Sequence, residues 1–453
     1  MKKLTKDEVT LKASLTFIIP SIIGIILFMI PIKYKGDITI PVALMSKFLA
    51  NALGGYLTAI ITLFICISAI FCIITKAFKP KFIIENEFLN TLFNVSPIWF
   101  IIRILGAIFC IFSLFNIGPK AIINPSTGSF VLNDLLTILF TIFFFAGLLL
   151  PLLLNFGLLE FFGAILTKVM RPVFTLPGRS SIDCITSWLG DGTLGILLTN
   201  KQYEEGFYSK REAAIISTTF SAVSITFSLI VIDTVGLSNL FIPFYLTVTF
   251  SGIVAAIILP RIYPLKNIPN TYYNNKEKKD DETIPSGYNS FSWGYKKALS
   301  KAEKNPGFKI FIVDGIKNVF DMWLGVLPVV MALATIALII AEYTSVFQIL
   351  GLPFIPYLKL LQVPEAVAAS QTLVVGFADM LLPSVLAANT ITSDMTKFIV
   401  ACTSVSQLIY MSEVGGVLLG SKIPVSLKQL LIIFIERTII TLPVIVLIAN
   451  LIF

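Results

Sequence analysis

Two polar islands interrupt an otherwise very apolar chain, and they hold the residues best suited to chemistry. The first, residues 177–228, carries Gly190-Asp191-Gly192-Thr193 and then Ser217-Thr218-Thr219-Phe220-Ser221. The second, residues 364–412, carries Gly376-Phe377-Ala378-Asp379 and then Thr403-Ser404-Val405-Ser406-Gln407. The first tip offers flexible backbone, a carboxylate and a hydroxyl, and the second a carboxylate and an aromatic face. This is binding chemistry. Helix starts at such tips present partial positive charge to a solute carboxylate, while the aspartates suit an amine, a hydroxyl or a cation. Each aspartate also reads as a cap that satisfies its own turn.

The hydroxyl runs point around much of a helix, and bonding each back to the preceding turn bends it. Either the helix unwinds there or small residues let another helix approach closely. The recurrence of the run in both islands favours unwinding. The candidate solute-binding residues are therefore Asp191, Gly192, Thr193, Thr218, Thr219, Ser221, Phe377, Asp379, Thr403, Ser404, Ser406 and Gln407. Asp191, Asp379 and Glu413, just beyond Ser412, are the candidates for a coupling ion or proton. Asp183 and Arg179 pair with each other or anchor the interface. Asp233 reads as a cap. Glu436 and Arg437 are adjacent, face different sides of a helix and are taken as structural.

Other chemistries are missing. The chain has no GxxxxGK[ST] loop and no nucleophile elbow, so nothing points to an ATP-driven pump or an enzyme. With no histidine, the commonest proton relay and the commonest nitrogen ligand of zinc are both lost. Cys66, Cys72, Cys110, Cys184 and Cys402 are scattered in apolar runs without CxxC spacing, which argues against metal sites and disulfides. No cofactor is expected; Na+, held by tip carbonyls and hydroxyls, remains a coupling-ion candidate.

These islands must be positioned inside a membrane. Of 453 residues, 56% are hydrophobic and 13% charged, with mean hydropathy +0.90, which excludes an ordinary soluble globule. The net charge of +8 sits mostly beside apolar runs, as a topology signal and not a nucleic-acid face. The runs 182–189 and 194–198 are too short to cross a bilayer and face each other across the Gly-Asp-Gly turn, predicting a re-entrant hairpin over 177–200. A second hairpin is predicted over 364–388. Laying Pro177 on Pro364 brings Asp191 within a residue of Asp379, and Thr218, Thr219 and Ser221 fall on Thr403, Ser404 and Ser406 if the second loop is slightly shorter.

Nine spans are expected, at 15–31, 53–74, 97–115 (with Arg103 reaching for the interface), 132–156, 212–235, 240–259, 323–341, 398–419 and 430–452. An interfacial helix precedes the second span, and a cytoplasmic surface helix covers 291–304. The basic clusters place the N-terminus in the cytoplasm. The organisation is then 1–131, N-terminal scaffold helices; 132–262, a first repeat with hairpin 177–200; 263–309, a cytoplasmic loop; 310–453, a second repeat with hairpin 364–388. Three spans separate the two starts, and an odd number inverts the second copy, so the two hairpin tips meet near the midplane. The fold class is an all-α polytopic membrane protein.

The strings PGRSSID, SWLGDGTLGILLTNKQYEEGFYSKREA, GFADMLLP, SVSQLIYMSEVG and SKIPV resemble the YjiH-type nucleoside-recognition Gate-domain membrane proteins over residues 132–453. Gate domains are similar to the core of concentrative nucleoside transporters, and related domains occur in ferrous-iron permeases and spore maturation proteins. The resemblance implies an elevator-type carrier in the cell membrane, a scaffold holding a homo-oligomer, and a solute site lined by the hairpin tips and hydroxyl runs. A small-molecule solute (nucleoside, amino acid or related nitrogenous metabolite), the lipid bilayer and no nucleic acid are the implied partners. The competing expectation is a non-transporting Gate-domain scaffold or sensor with the polar loop as a docking site.

Overall fold

The computed structural model describes residues 11–30, 32–34, 37–189, 192–220, 225–275, 283–304 and 307–453. Among these the chain is helical apart from a short antiparallel ribbon, Ile32–Tyr34 with Asp37–Thr39. Among the described residues, seven helices are long and apolar enough to cross a membrane: Leu11–Met29, Pro41–Phe78, Pro97–Phe115, Gly128–Leu154, Ser238–Arg261, Phe311–Tyr343 and Leu427–Ile452. Phe311–Tyr343 is the most enclosed of them and Leu11–Met29 the least. The large apolar side chains that Leu11–Met29 leaves uncovered, such as Ile18, Ile19 and Ile22, are where a lipid-facing surface must be.

The expected spans 212–235 and 398–419 are interrupted. Lys210–Thr219 and Ile225–Thr234 take the place of the first, Asp394–Gln407 and Val414–Gly420 that of the second. Each proximal half opens with a serine cap. Ser209 forms a full capping box with Glu212, and Ser393 accepts from the Thr396 amide. Both halves of the chain follow one order: a long helix containing a π-helical turn (Val131–Leu135, Met322–Val326), a hairpin, an interrupted helix and a long closing helix. A π-turn is rare, so its recurrence at matching places reinforces the internal repeat.

The first hairpin consists of Ser180–Leu189 and Gly192–Glu205. Gly195 lets its arms touch, since a Cβ there would lie 2.6 Å from that of Ser187. The second is Ala366–Leu373, a 3-10 turn at Val374–Phe377, and Leu382–Thr390. The hairpins are crossed between repeats. The second arm of the first packs on Val414–Gly420, the second arm of the other on Ile225–Thr234. Asn200 pins the former contact, its Oδ1 accepting from the Lys422 amide at 2.8 Å.

Three local expectations change. The interfacial helix and second span form one unit, Pro41–Leu53 turning through Gly54–Tyr56 into Leu57–Phe78. The polar segment's helix, Ser290–Glu303, does not stand free: Ala298, Leu299 and Ala302 are buried with Ala13 and Phe17. Arg103 turns inward. It is buried and donates to the Leu92 carbonyl at 2.7 Å, because a nearby helix end offers a closer acceptor than water does.

Candidate functional site

In the second repeat the helix from Asp394 stops at Gln407 because Leu408 turns into positive φ (63°, ψ −34°), with the Ile409 amide donating to the Gln407 carbonyl at 2.7 Å. This is close to the strained γ-turn that β-carbon-bearing residues avoid. The chain then runs unwound through 408–413 alongside the hairpin tip. Met411 donates to the Phe377 carbonyl at 2.8 Å and Ser412 to that of Ala378 at 3.0 Å. Tip and break thus satisfy each other's freed backbone, which lipid cannot do. Asp379, half-buried, accepts from the Leu381 amide at 2.8 Å and stands beside Ser412.

Gln407 locks this arrangement. Its Nε2 donates to the Leu373 carbonyl in the hairpin and to Thr438 Oγ1 in the closing helix, both at 2.9 Å. Gly376 leaves room for it, as a Cβ there would come within 2.3 Å of Gln407 Oε1. Phe377 packs edge-on against Phe434 with ring centroids 5.3 Å apart. Phe434, Arg437, Thr438 and Thr441 are all buried and lie on one face of Leu427–Ile452, as spacings of three and four require. Thr441 donates back to the Arg437 carbonyl.

Arg437 joins the repeats. Its Nε donates to the Ser406 carbonyl at 2.8 Å, and its Nη1 to the carbonyls of Thr218 at 3.2 Å and Thr219 at 3.1 Å. All three acceptors belong to the last turns of proximal half-helices, where carbonyls carry the negative end of the dipole. One buried guanidinium therefore serves both breaks, each bond to a charged group contributing about 1.5–3 kcal/mol. From sequence alone Arg437 reads as structural. An arginine mid-span is itself the signal that marks it.

The expected site residues meet these elements unequally. Asp191 and Ser221 lie outside the described residues. Gly192 and Thr193 begin the second arm of the first hairpin and are buried. Thr218, Thr219 and Thr403 turn their hydroxyls to carbonyls four residues back, at Ala214, Ile215 and Ile399; Ser404 bonds to Ala401. Ser406 bonds to Cys402 and touches Ser251 Oγ at 3.0 Å. At Thr218 and Thr219 it is the carbonyl, not the hydroxyl, that crosses to the other repeat, whereas at Ser406 the hydroxyl crosses to Ser251 and the carbonyl meets Arg437 of its own repeat. Glu413 precedes Val414–Gly420 at its N-cap. By their ends, Thr219 matches Gln407 and Thr218 matches Ser406, a different register from Thr218 on Thr403, because Asp394–Gln407 has 14 residues where Lys210–Thr219 has 10.

The bases of the hairpins differ. Arg179 is buried, lies 3.6 Å above the Phe207 ring and has Nη2 3.6 Å from Glu160 Oε1. Asp183 accepts from the Thr199 hydroxyl at 2.8 Å, tying the two arms of the first hairpin. Asp233 closes the turn after its helix with the Ser238 hydroxyl. In the second hairpin exposed Glu365 accepts from the Thr392 amide and hydroxyl and the Ser393 amide. These bonds, the Thr392 hydroxyl first, lower its pKa from the usual 4.5. No group of three or more His, Cys, Asp or Glu able to hold a metal occurs among the described residues.

Crossed hairpins, paired broken helices and a belt of apolar spans define a polytopic, transporter-like membrane protein. Residues 136–238 match the Gate family model, described as nucleoside recognition. The chain is 50% identical over 448 residues to a protein of Alkalihalophilus pseudofirmus described as uncharacterized, covering 99% of this chain and 96% of that one. A solved structure of a CNTnw double variant in an outward-facing state aligns over 99% of this chain and 92% of its own, with 14% identity and a TM-score of 0.29. The chain thus carries a Gate domain and belongs to one family with the Alkalihalophilus protein.

Proposed function

We propose that the protein is a secondary active transporter of a small polar solute, a nucleoside, an amino acid or a related nitrogenous metabolite. It works in the cell membrane with its N-terminus in the cytoplasm, as a homo-oligomer, by an elevator-like exchange coupled to Na+ or H+. It is neither an enzyme nor dependent on a cofactor. The observation that carries this reading is the crossed packing: each hairpin lies on the distal half of the other repeat's broken helix. The four elements form one body, and interrupted helices in corresponding halves mark transporter binding sites. That body moves past Leu57–Phe78, Pro97–Phe115 and Leu327–Tyr343, which pack on one another. The reading as a docking scaffold is weakened by Ser290–Glu303, whose apolar face is already covered by Ala13 and Phe17.

The test is uptake in proteoliposomes under imposed Na+ or H+ gradients, with solutes chosen by thermal-shift screening of the purified protein. Gradient-dependent accumulation is expected, reduced at least tenfold in Asp379→Ala. No accumulation of any stabilising solute under either gradient would reject transport. Full activity in both Asp379→Ala and Glu413→Gln would remove those carboxylates from coupling.

A further inference from the structure

We infer that Arg437 is the resident cation of the site, filling the carbonyl cluster of Thr218, Thr219 and Ser406, so that the folded core requires no Na+. The inference narrows the coupling ion of the transporter reading and rests on that reading for its consequence, but its test reads cation binding and not uptake.

Carbonyls freed at the C-terminal ends of broken membrane helices are the groups that coordinate alkali cations in carriers. Three of them converge here from two helices, in a buried place where each unpaired carbonyl is costly. A guanidinium meets the same need with directed donors and a charge that never dissociates. Arg437 supplies Nε to one repeat and Nη1 to the other, at 2.8–3.2 Å. The neighbouring hydroxyls of Thr218, Thr219 and Ser406 are held on their own helices, donating to the carbonyls of Ala214, Ile215 and Cys402. The side chain is held in place by its own helix, where Phe434 packs on Phe377 and Thr438 holds Gln407. A tethered cation moves with the body that carries it, so Na+ cannot exchange at this cluster during a cycle. If the protein couples transport to an ion, a carboxylate proton such as that of Asp379 or Glu413 becomes the first candidate.

The experiment measures thermal unfolding of the full-length protein in detergent at fixed ionic strength, with choline chloride replaced by NaCl, and separately with millimolar ethylguanidinium chloride. Wild type is expected to unfold within about 1 °C in choline and in Na+, since a ligand that binds only the folded state must raise the midpoint. Arg437→Ala is expected to unfold at lower temperature and to regain part of the loss saturably with ethylguanidinium, which a merely packing role for the side chain would not produce. Saturable stabilisation of the wild type by Na+ overturns the inference. So does a folded Arg437→Ala that ethylguanidinium leaves unchanged. If Arg437→Ala does not fold, Arg437→Lys takes its place, and the wild-type Na+ comparison alone decides. A protein that transports nothing leaves all these outcomes readable.

Discussion

At the residue scale, the second break depends on Leu408, held where local propensity disfavours it, and on Gln407, which locks the tip. Leu408 is buried and sits at φ 63°, where a β-carbon costs roughly 1–2 kcal/mol. Glycine avoids that cost, while either small replacement loses the packing of the leucine. Leu408→Gly is therefore expected to be more stable than Leu408→Ala by about 1 kcal/mol, the reverse of their order in a helix. Midpoints of thermal unfolding in detergent rank the two, and an alanine variant at or above the glycine variant refutes the strain. Gly376 and Gln407 are a coupled pair. Gly376→Ala drives a methyl against Gln407 Oε1, an overpacking cost of about 1–3 kcal/mol. Gln407→Ala leaves the Leu373 carbonyl without its donor, at about 1–3 kcal/mol. In the double variant the clash is gone, so the combined cost is expected to fall short of the sum by about 1 kcal/mol or more. Strict additivity in a double-mutant cycle would show that the two do not touch.

At the element scale, the polar islands were readable because they break apolar periodicity, and their repetition exposed the internal duplication. The place of each break was less readable. The hydroxyl runs suggested unwinding at Thr403–Gln407, yet those residues complete the helix by bonding back to it, and the chain unwinds just beyond, at 408–413. Leu408 carries no sequence signal for a left-handed turn, since the tip and the closing helix impose it. The closure of the second hairpin at Glu365 was equally silent, because its partners Thr392 and Ser393 lie 27 and 28 residues away. That closure titrates. The folded-state pKa of Glu365 is lowered, so its contribution is present above the unfolded value near 4.5 and is lost as pH falls through the folded value. Wild type is expected to exceed Glu365→Gln in thermal stability near neutral pH, and the gap to shrink as pH drops below about 4.5. A gap of constant size from pH 7 to pH 3 would show that the carboxylate charge contributes nothing.

At the scale of the whole molecule, the sequence could propose two copies but not how they interlock. Arg437 lies 219 and 218 residues from the Thr218 and Thr219 carbonyls it reaches, and pairing across such a distance leaves no local pattern. The interlocking makes a mechanical prediction. Asn200 and Lys422 belong to one body, bonded side chain to backbone. Val330 and Gly416 belong to two, with a Cβ built at Gly416 lying 3.6 Å from Val330 Cα. The second pair is near enough for a disulfide, the first is joined at 2.8 Å from side chain to backbone, and the five native cysteines are free, so they are first replaced. An oxidised Asn200→Cys/Lys422→Cys pair is expected to preserve solute uptake, because hairpin and half-helix travel together. An oxidised Val330→Cys/Gly416→Cys pair is expected to stop uptake and to release it on reduction, because it fastens the moving body to Leu327–Tyr343. Uptake that survives the second cross-link would mean these two helices do not slide past each other. Uptake blocked by the first would mean that the hairpin must part from Val414–Gly420 during the cycle, and the crossed elements would be a gate instead of one rigid carrier.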